Sequence, residues 1–117
     1  MASADRAKIA ALEAKGAEVI VMPNSAGKVE LGHLFRELAR REVNEVHVEA
    51  GFRLNGSLVR EGLVDEALIY LAPALIGEKG HGMFELPELA DLSGRRELKI
   101  RDLQMIGPDI RVIARFV

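Results

Sequence analysis

Apolar residues recur along this chain with two different periods. Leu31, Leu34, Phe35 and Leu38 fall at i, i+3, i+4 and i+7, the spacing of one helical face, with Arg36, Glu37, Arg40 and Arg41 outside. This predicts a helix over residues 31–41 whose basic last turn suits the helix dipole. A weaker stripe of Ala7, Ile9, Ala10, Leu12 and Ala14 predicts a helix over residues 3–15, capped by Ser3 or Asp5 and stopped by Gly16. A third is predicted over residues 54–61, closed by Gly62. Between the helices lie short apolar runs of strand length at residues 17–22, 45–50 and 67–72. Pro73 interrupts the last run, and Leu75-Ile76-Gly77 continues it.

Turn chemistry marks the joints. Residues 23–27 form a Pro-Asn-Ser-Ala-Gly cluster and residues 78–82 a glycine-rich loop, and residues 87–92 hold a short helical turn. From Arg96 onward the period becomes two. Leu98 and Ile100 alternate with Lys99 and Arg101, Gly107-Pro108-Asp109 turns, and residues 110–117 alternate again as the returning strand of a hairpin. Strands alternating with helices imply a largely parallel sheet covered by helices. The hairpin then adds antiparallel strands at one edge, giving an α/β domain with a mixed sheet.

Composition narrows the chemistry. The 117 residues fit one domain, and a net charge of −2 argues against a nucleic-acid face, which needs concentrated basic charge. Aromatic residues make up only 4%, too few for a base-stacking module. With no cysteine, disulfides, thiolate metal sites and cysteine nucleophiles are excluded. No apolar run approaches the ~20 residues of a membrane helix. His33, His47 and His81 lack metal-ligand spacing, so no metal site is expected. His81, in the glycine-rich loop, either borders a site or is simply exposed.

The stretch with most chemical content is Val46 to Ser57, V-H-V-E-A-G-F-R-L-N-G-S. Strand, small-residue turn and helix start form a layout that presents backbone N–H groups to an anion. Gly51 removes the Cβ that keeps a ligand from the backbone, and Arg53 adds a possible charge-assisted contact. The same turn also suits any tight strand-to-helix joint. Glu49, at the carboxyl end of its strand, either binds a sugar hydroxyl or stabilises the helix start. Asp65-Glu66 is either an acid/base pair or a solvated turn. There is no P-loop, no complete G-x-G-x-x-G and no nucleophile elbow.

Residues 48–77, V-E-A-G-F-R-L-N-G-S-L-V-R-E-G-L-V-D-E-A-L-I-Y-L-A-P-A-L-I-G, resemble the reductase domain of the bifunctional riboflavin-biosynthesis deaminase/reductase family, whose fold is dihydrofolate-reductase-like. Gly107-Pro108-Asp109 resembles that family's closing hairpin turn, and the resemblance runs from about residue 17 to the end. It implies NADPH-dependent reduction of the ribosyl group of 5-amino-6-(5-phosphoribosylamino)uracil to a ribityl group in riboflavin biosynthesis. Glu49 is then expected to contact the substrate's ribose part. Ala50, Gly51, Phe52, Arg53 and Leu54 are expected to line the cofactor phosphates. Phe52-Arg53 stands where the family has Pro-Thr. The family's earlier strands, substrate-side lysine, other substrate contacts and zinc deaminase domain find no match. The resemblance therefore implies that residues 1–117 are the C-terminal part of a reductase domain, holding no catalytic residue of their own and inactive alone. A cytoplasmic homodimer is expected. Two other readings remain: a non-catalytic self-associating fragment using the terminal hairpin, and a related reductase of another pterin or pyrimidine.

Overall fold

The computed structural model describes residues 1–117, and the chain divides into two compact units, Met1–Val48 and Glu49–Val117. In the first unit, α1 (Arg6–Glu13) starts where Asp5 caps it, the carboxylate accepting from Lys8 N at 3.1 Å. Gly16 ends the turn beyond α1 at φ +85°, a conformation that suits glycine. Asn24 then shapes the next turn: its Oδ1 accepts from Ala26 N at 3.0 Å and Lys28 N at 2.9 Å. Pro23 and Val29 form an isolated bridge across it. α2 (Leu31–Arg40) follows the predicted face, and Met22 and Leu31 are the buried apolar residues of this unit. Glu37, expected on the outer face, has a side chain only 12% exposed and holds both Arg40 and Arg41 at 2.7 Å, and Arg41 reaches on to Glu18.

In the second unit, α3 (Phe52–Arg60) is followed by β1 (Glu66–Leu71), a 3₁₀ turn at Leu92–Gly94, and the hairpin β2 (Leu98–Ile106) and β3 (Asp109–Phe116). Gly62, at φ +67°, closes the helix. The sheet has the order β1-β3-β2, with both pairings antiparallel. A two-residue loop, Gly107-Pro108, joins β2 to β3. Gly107 at φ +60° followed by proline is the combination that a type II′ hairpin turn uses. The core of this unit contains Leu58, Val59 and Ala114.

One irregularity organises the hairpin. Ile100 pairs with Ala114 and Asp102 with Ile113, so Arg101 is an extra, bulged residue. Before the bulge the apolar positions are Leu98 and Ile100; after it they are Leu103 and Met105. The bulge resets the period so that all four share the face of Val112 and Ala114. Ala67, Ile69 and Leu71 of β1 complete that apolar face. The opposite face carries Arg111, whose Nη2 bridges Asp102 Oδ2 and Gln104 Oε1 at 2.8 Å each.

The α/β class and the closing hairpin stand as expected, but two predicted strands do not. Residues 17–22 and 45–50 belong to no sheet, so the sheet is antiparallel throughout rather than largely parallel. Both runs have strand composition, yet a strand exists only through a ladder with a neighbour, and periodicity alone cannot supply one. Val46 and Val48 are accordingly each 40% exposed. The continuation at Leu75-Ile76 is likewise not strand, and both side chains lie in solvent. The short helical turn forms at Leu92–Gly94, at the far end of its expected place.

Candidate functional site

The turn before α3 is built from residues with little side chain to obstruct it. Gly51 is the N-cap, in an extended conformation at φ −84° and ψ 171°. A Cβ placed on it meets nothing within 4 Å, so the approach to the helix start is open. Phe52 and Arg53 are the first two helical residues, two positions earlier than predicted. The first N–H groups of a helix have no intrahelical partner and carry the positive end of the dipole. Gly51, Phe52, Arg53 and Leu54 therefore present a short run of backbone donors beside an open surface, with Ala50 just before the cap.

Charge around the turn is modest. The Arg53 side chain is 88% exposed, and its Nε lies 3.9 Å from Glu85 Oε1. The other Glu85 oxygen lies 3.9 Å from Arg60 Nη1. Exposed pairs at this distance hold each other weakly, so Arg53 is available to an incoming anion in competition with Glu85. Glu49 sits two residues before the cap and is an exposed residue.

A second segment closes on this helix start, and the sequence did not announce it. Glu85 N donates to Phe52 O at 3.0 Å. Asn55 Nδ2 donates to Ala50 O at 3.1 Å and to Met83 O at 3.4 Å, tying the turn to the same segment. Arg60 Nη1 donates to Glu85 O, and its Nη2 to Ser57 Oγ at 2.9 Å. The one signal in the sequence was Gly56, a glycine inside a helix, which marks a close backbone approach. A Cβ there would lie 2.6 Å from Glu85 N.

His81 is brought to the site as well. Its ring centroid lies 6.1 Å from that of Phe52, tilted by 42°, and Gly82 passes the same phenylalanine edge. Of the two sequence alternatives for His81, the structure gives both: it borders the turn and it is exposed. Asp65-Glu66 takes the structural role. Asp65 O accepts from Phe116 N at 3.2 Å, and Glu66 stands across from Arg115 with 3.5 Å between their charged atoms. A cavity of about 240 Å³ lined by Val59, Gly62, Val64, Arg96, Glu97, Phe116 and Val117 lies at the other end of α3. The nine helical residues separate it from Gly51 by roughly 13 Å.

This chain is similar to known proteins over nearly all its length. It is 43% identical over 82 residues to the riboflavin biosynthesis protein RibD of Haemophilus influenzae, covering 70% of this chain and 22% of that protein. It is 32% identical over 99 residues to the 5-amino-6-(5-phosphoribosylamino)uracil reductase of Buchnera aphidicola, covering 85% of this chain and 48% of that protein. The chain thus spans between about a fifth and a half of these relatives. Among solved structures, a RibD of Acinetobacter baumannii superposes with a TM-score of 0.77 at 26% identity, over 96% of this chain and 29% of that one. The family described as the RibD C-terminal domain matches residues 1–112, and the chain belongs to that family.

Proposed function

We propose that this chain supplies the cofactor-phosphate turn, and one substrate contact, of an NADPH-dependent reductase of riboflavin biosynthesis. The substrate is 5-amino-6-(5-phosphoribosylamino)uracil, whose ribosyl group is reduced to a ribityl group. The observation that carries the reading is the open N-terminus of α3 at Gly51 in a chain of the RibD C-terminal domain family. The name borne by the Buchnera relative supports the reaction and substrate.

The residues fit a pyrophosphate. Gly51 leaves room for phosphate oxygens to reach the N–H groups of the first turn, and the exposed Arg53 guanidinium lies beside them. Ala50 and Leu54 flank this cradle. Phe52 carries the His81 ring at its edge, giving an apolar wall next to the donors. When bound, NADPH supplies the hydride, and the protein's part is position and electrostatics. Glu49, as an exposed carboxylate before the cap, accepts hydrogen bonds from the ribose hydroxyls of the substrate. The proposal gives this chain no catalytic residue, so alone it binds cofactor without turnover. It places the protein in the cytoplasm, as a homodimer. No helix is long and apolar enough to cross a membrane.

NADPH and NADH titrations of the chain, followed by protein fluorescence-independent calorimetry, test the reading. Saturable NADPH binding, tighter than NADH, with no NADPH oxidation on adding the pyrimidine substrate, is the expected result. Absence of binding removes the cofactor assignment, and turnover by this chain alone removes the division of the site.

A further inference from the structure

One side chain of α3 holds the peptide that opens the turn. Asn55 reaches back past the helix start, where its Nδ2 donates to Ala50 O at 3.1 Å and to Met83 O at 3.4 Å. Both partners are carbonyl oxygens, so they take the two hydrogens of one amide group. Asn55 N donates to Gly51 O at 3.1 Å, the first bond of the helical ladder. Ala50 O lies one residue before that ladder, and the Asn55 side chain supplies its donor.

This bond fixes more than the carbonyl. No peptide bond of the chain is cis, and in a trans peptide the C=O and N–H point in nearly opposite directions. Holding Ala50 O toward Asn55 therefore turns the Gly51 N–H away from it. The N–H groups of Phe52, Arg53 and Leu54 are aimed by the helical backbone itself. The Gly51 N–H is not, and glycine leaves it free to turn. Rotating the 50–51 peptide by about 180° would carry Gly51 from φ −84° to about +96°, a region glycine enters as readily as its mirror image. The rotated peptide would present a carbonyl oxygen to an approaching phosphate in place of a donor.

We propose that Asn55 is a positioning residue: it selects the peptide orientation in which the Gly51 N–H joins those of Phe52, Arg53 and Leu54 as an anion donor. Through Met83 O the same amide group couples the aim of this donor to the seating of the 83–85 segment. The inference rests on the phosphate role of the turn proposed above and adds the residue that keeps the turn in its receiving form.

Residual dipolar couplings of the isotopically labelled chain report the direction of each backbone N–H, and inorganic pyrophosphate is the binding probe. In the native chain the Gly51 coupling should fit a single direction, and pyrophosphate should shift the amides of residues 51–54. In Asn55→Ala the Gly51 coupling should average over two directions while the rest of α3 keeps its own. Pyrophosphate affinity should fall roughly threefold to tenfold, the factor that one hydrogen bond controls. Adding Gly51→Ala to that variant should restore a single direction at residue 51. A Cβ there meets nothing within 4 Å in the native conformation, and it disfavours positive φ. A residue that only tied down the 83–85 segment would not respond to this second change. If Asn55→Ala does not fold, Asn55→Asp keeps the shape, removes the donor and gives the same coupling measurement. An unchanged Gly51 coupling, or no restoration by Gly51→Ala, overturns the role of Asn55 and leaves the phosphate reading standing. A native turn whose amides ignore pyrophosphate overturns the phosphate reading and the positioning role together.

Discussion

Gly56 lies against the backbone of Glu85. A Cβ on Gly56 would sit 2.6 Å from Glu85 N and 2.8 Å from Glu85 C, and backbone cannot swing aside as a side chain can. This contact seats the 83–85 segment on α3, where Glu85 N also binds Phe52 O. We expect Gly56→Ala to destabilise the second unit by about 1–3 kcal/mol, the range for forcing extra atoms into a packed contact. Chemical denaturation followed by circular dichroism measures it. The intrinsic helix preference of alanine over glycine, roughly 1 kcal/mol, acts in the opposite direction, so a net gain in stability would show that the segment does not seat as described.

At Gly51 the same kind of change should separate stability from binding. Space is open there and φ is negative, so Gly51→Val fits without strain. Its cost to the fold is that of a poor N-cap, about 1 kcal/mol or less. The added bulk stands where phosphate oxygens approach. NADPH affinity should therefore fall at least tenfold while the melting temperature moves little.

Glu85 offers a change in the other direction. Its carboxylate lies 3.9 Å from Arg53 and competes with any anion at the helix start. Glu85→Gln keeps the backbone contacts and removes the charge. NADPH affinity should rise roughly twofold to fivefold, in keeping with the 0.2–1 kcal/mol of an exposed pair, and the gain should shrink at high salt.

Glu49→Gln should raise the KM for the pyrimidine substrate more than that for NADPH, measured in a longer family member carrying the equivalent substitution. The opposite pattern would reassign Glu49 to the cofactor.

Acid should weaken both units, each of which holds one carboxyl below its ordinary value. Hydrogen bonds from Arg41, and then Arg40, hold the Glu37 carboxyl below its ordinary value. A carboxyl lowered in the folded state stabilises above its unfolded pKa, about 4.3 for Glu. That contribution is lost as pH falls through the lowered folded value. Ser93 lowers Asp91 in the same way, through its side-chain hydroxyl and then its backbone N–H. Thermal midpoints should be flat above about pH 5 and decline below pH 4. Glu37→Gln should flatten the part of that decline belonging to α2.

What could be read in the sequence depended on how local its cause was. The face of α2 was legible because Leu31, Leu34, Phe35 and Leu38 state it within one segment. The hairpin turn was legible because Gly107-Pro108 suits few other backbones. The bulge at Arg101 was not legible, because Leu98 and Ile100 alternating with Lys99 and Arg101 suggest a regular strand. Residues 17–22 and 45–50 misled because a ladder depends on a neighbour that no local pattern contains. The open strand-to-helix turn at Gly51 was legible for the same local reason as the hairpin turn. The closure by Met83 and Glu85, and the Phe52–His81 contact, join residues some thirty positions apart, and only Gly56 hinted at them.

The central claim is that cofactor phosphate binds at the N-terminus of α3. Amide chemical shifts of the isotopically labelled chain, followed by NMR during NADPH titration, test it most directly. The account predicts saturable shifts concentrated at Ala50, Gly51, Phe52, Arg53 and Leu54, reproduced in part by inorganic pyrophosphate and lost in Gly51→Val. Shifts absent from this turn, or centred on the cavity beside Arg96 and Phe116, would contradict it.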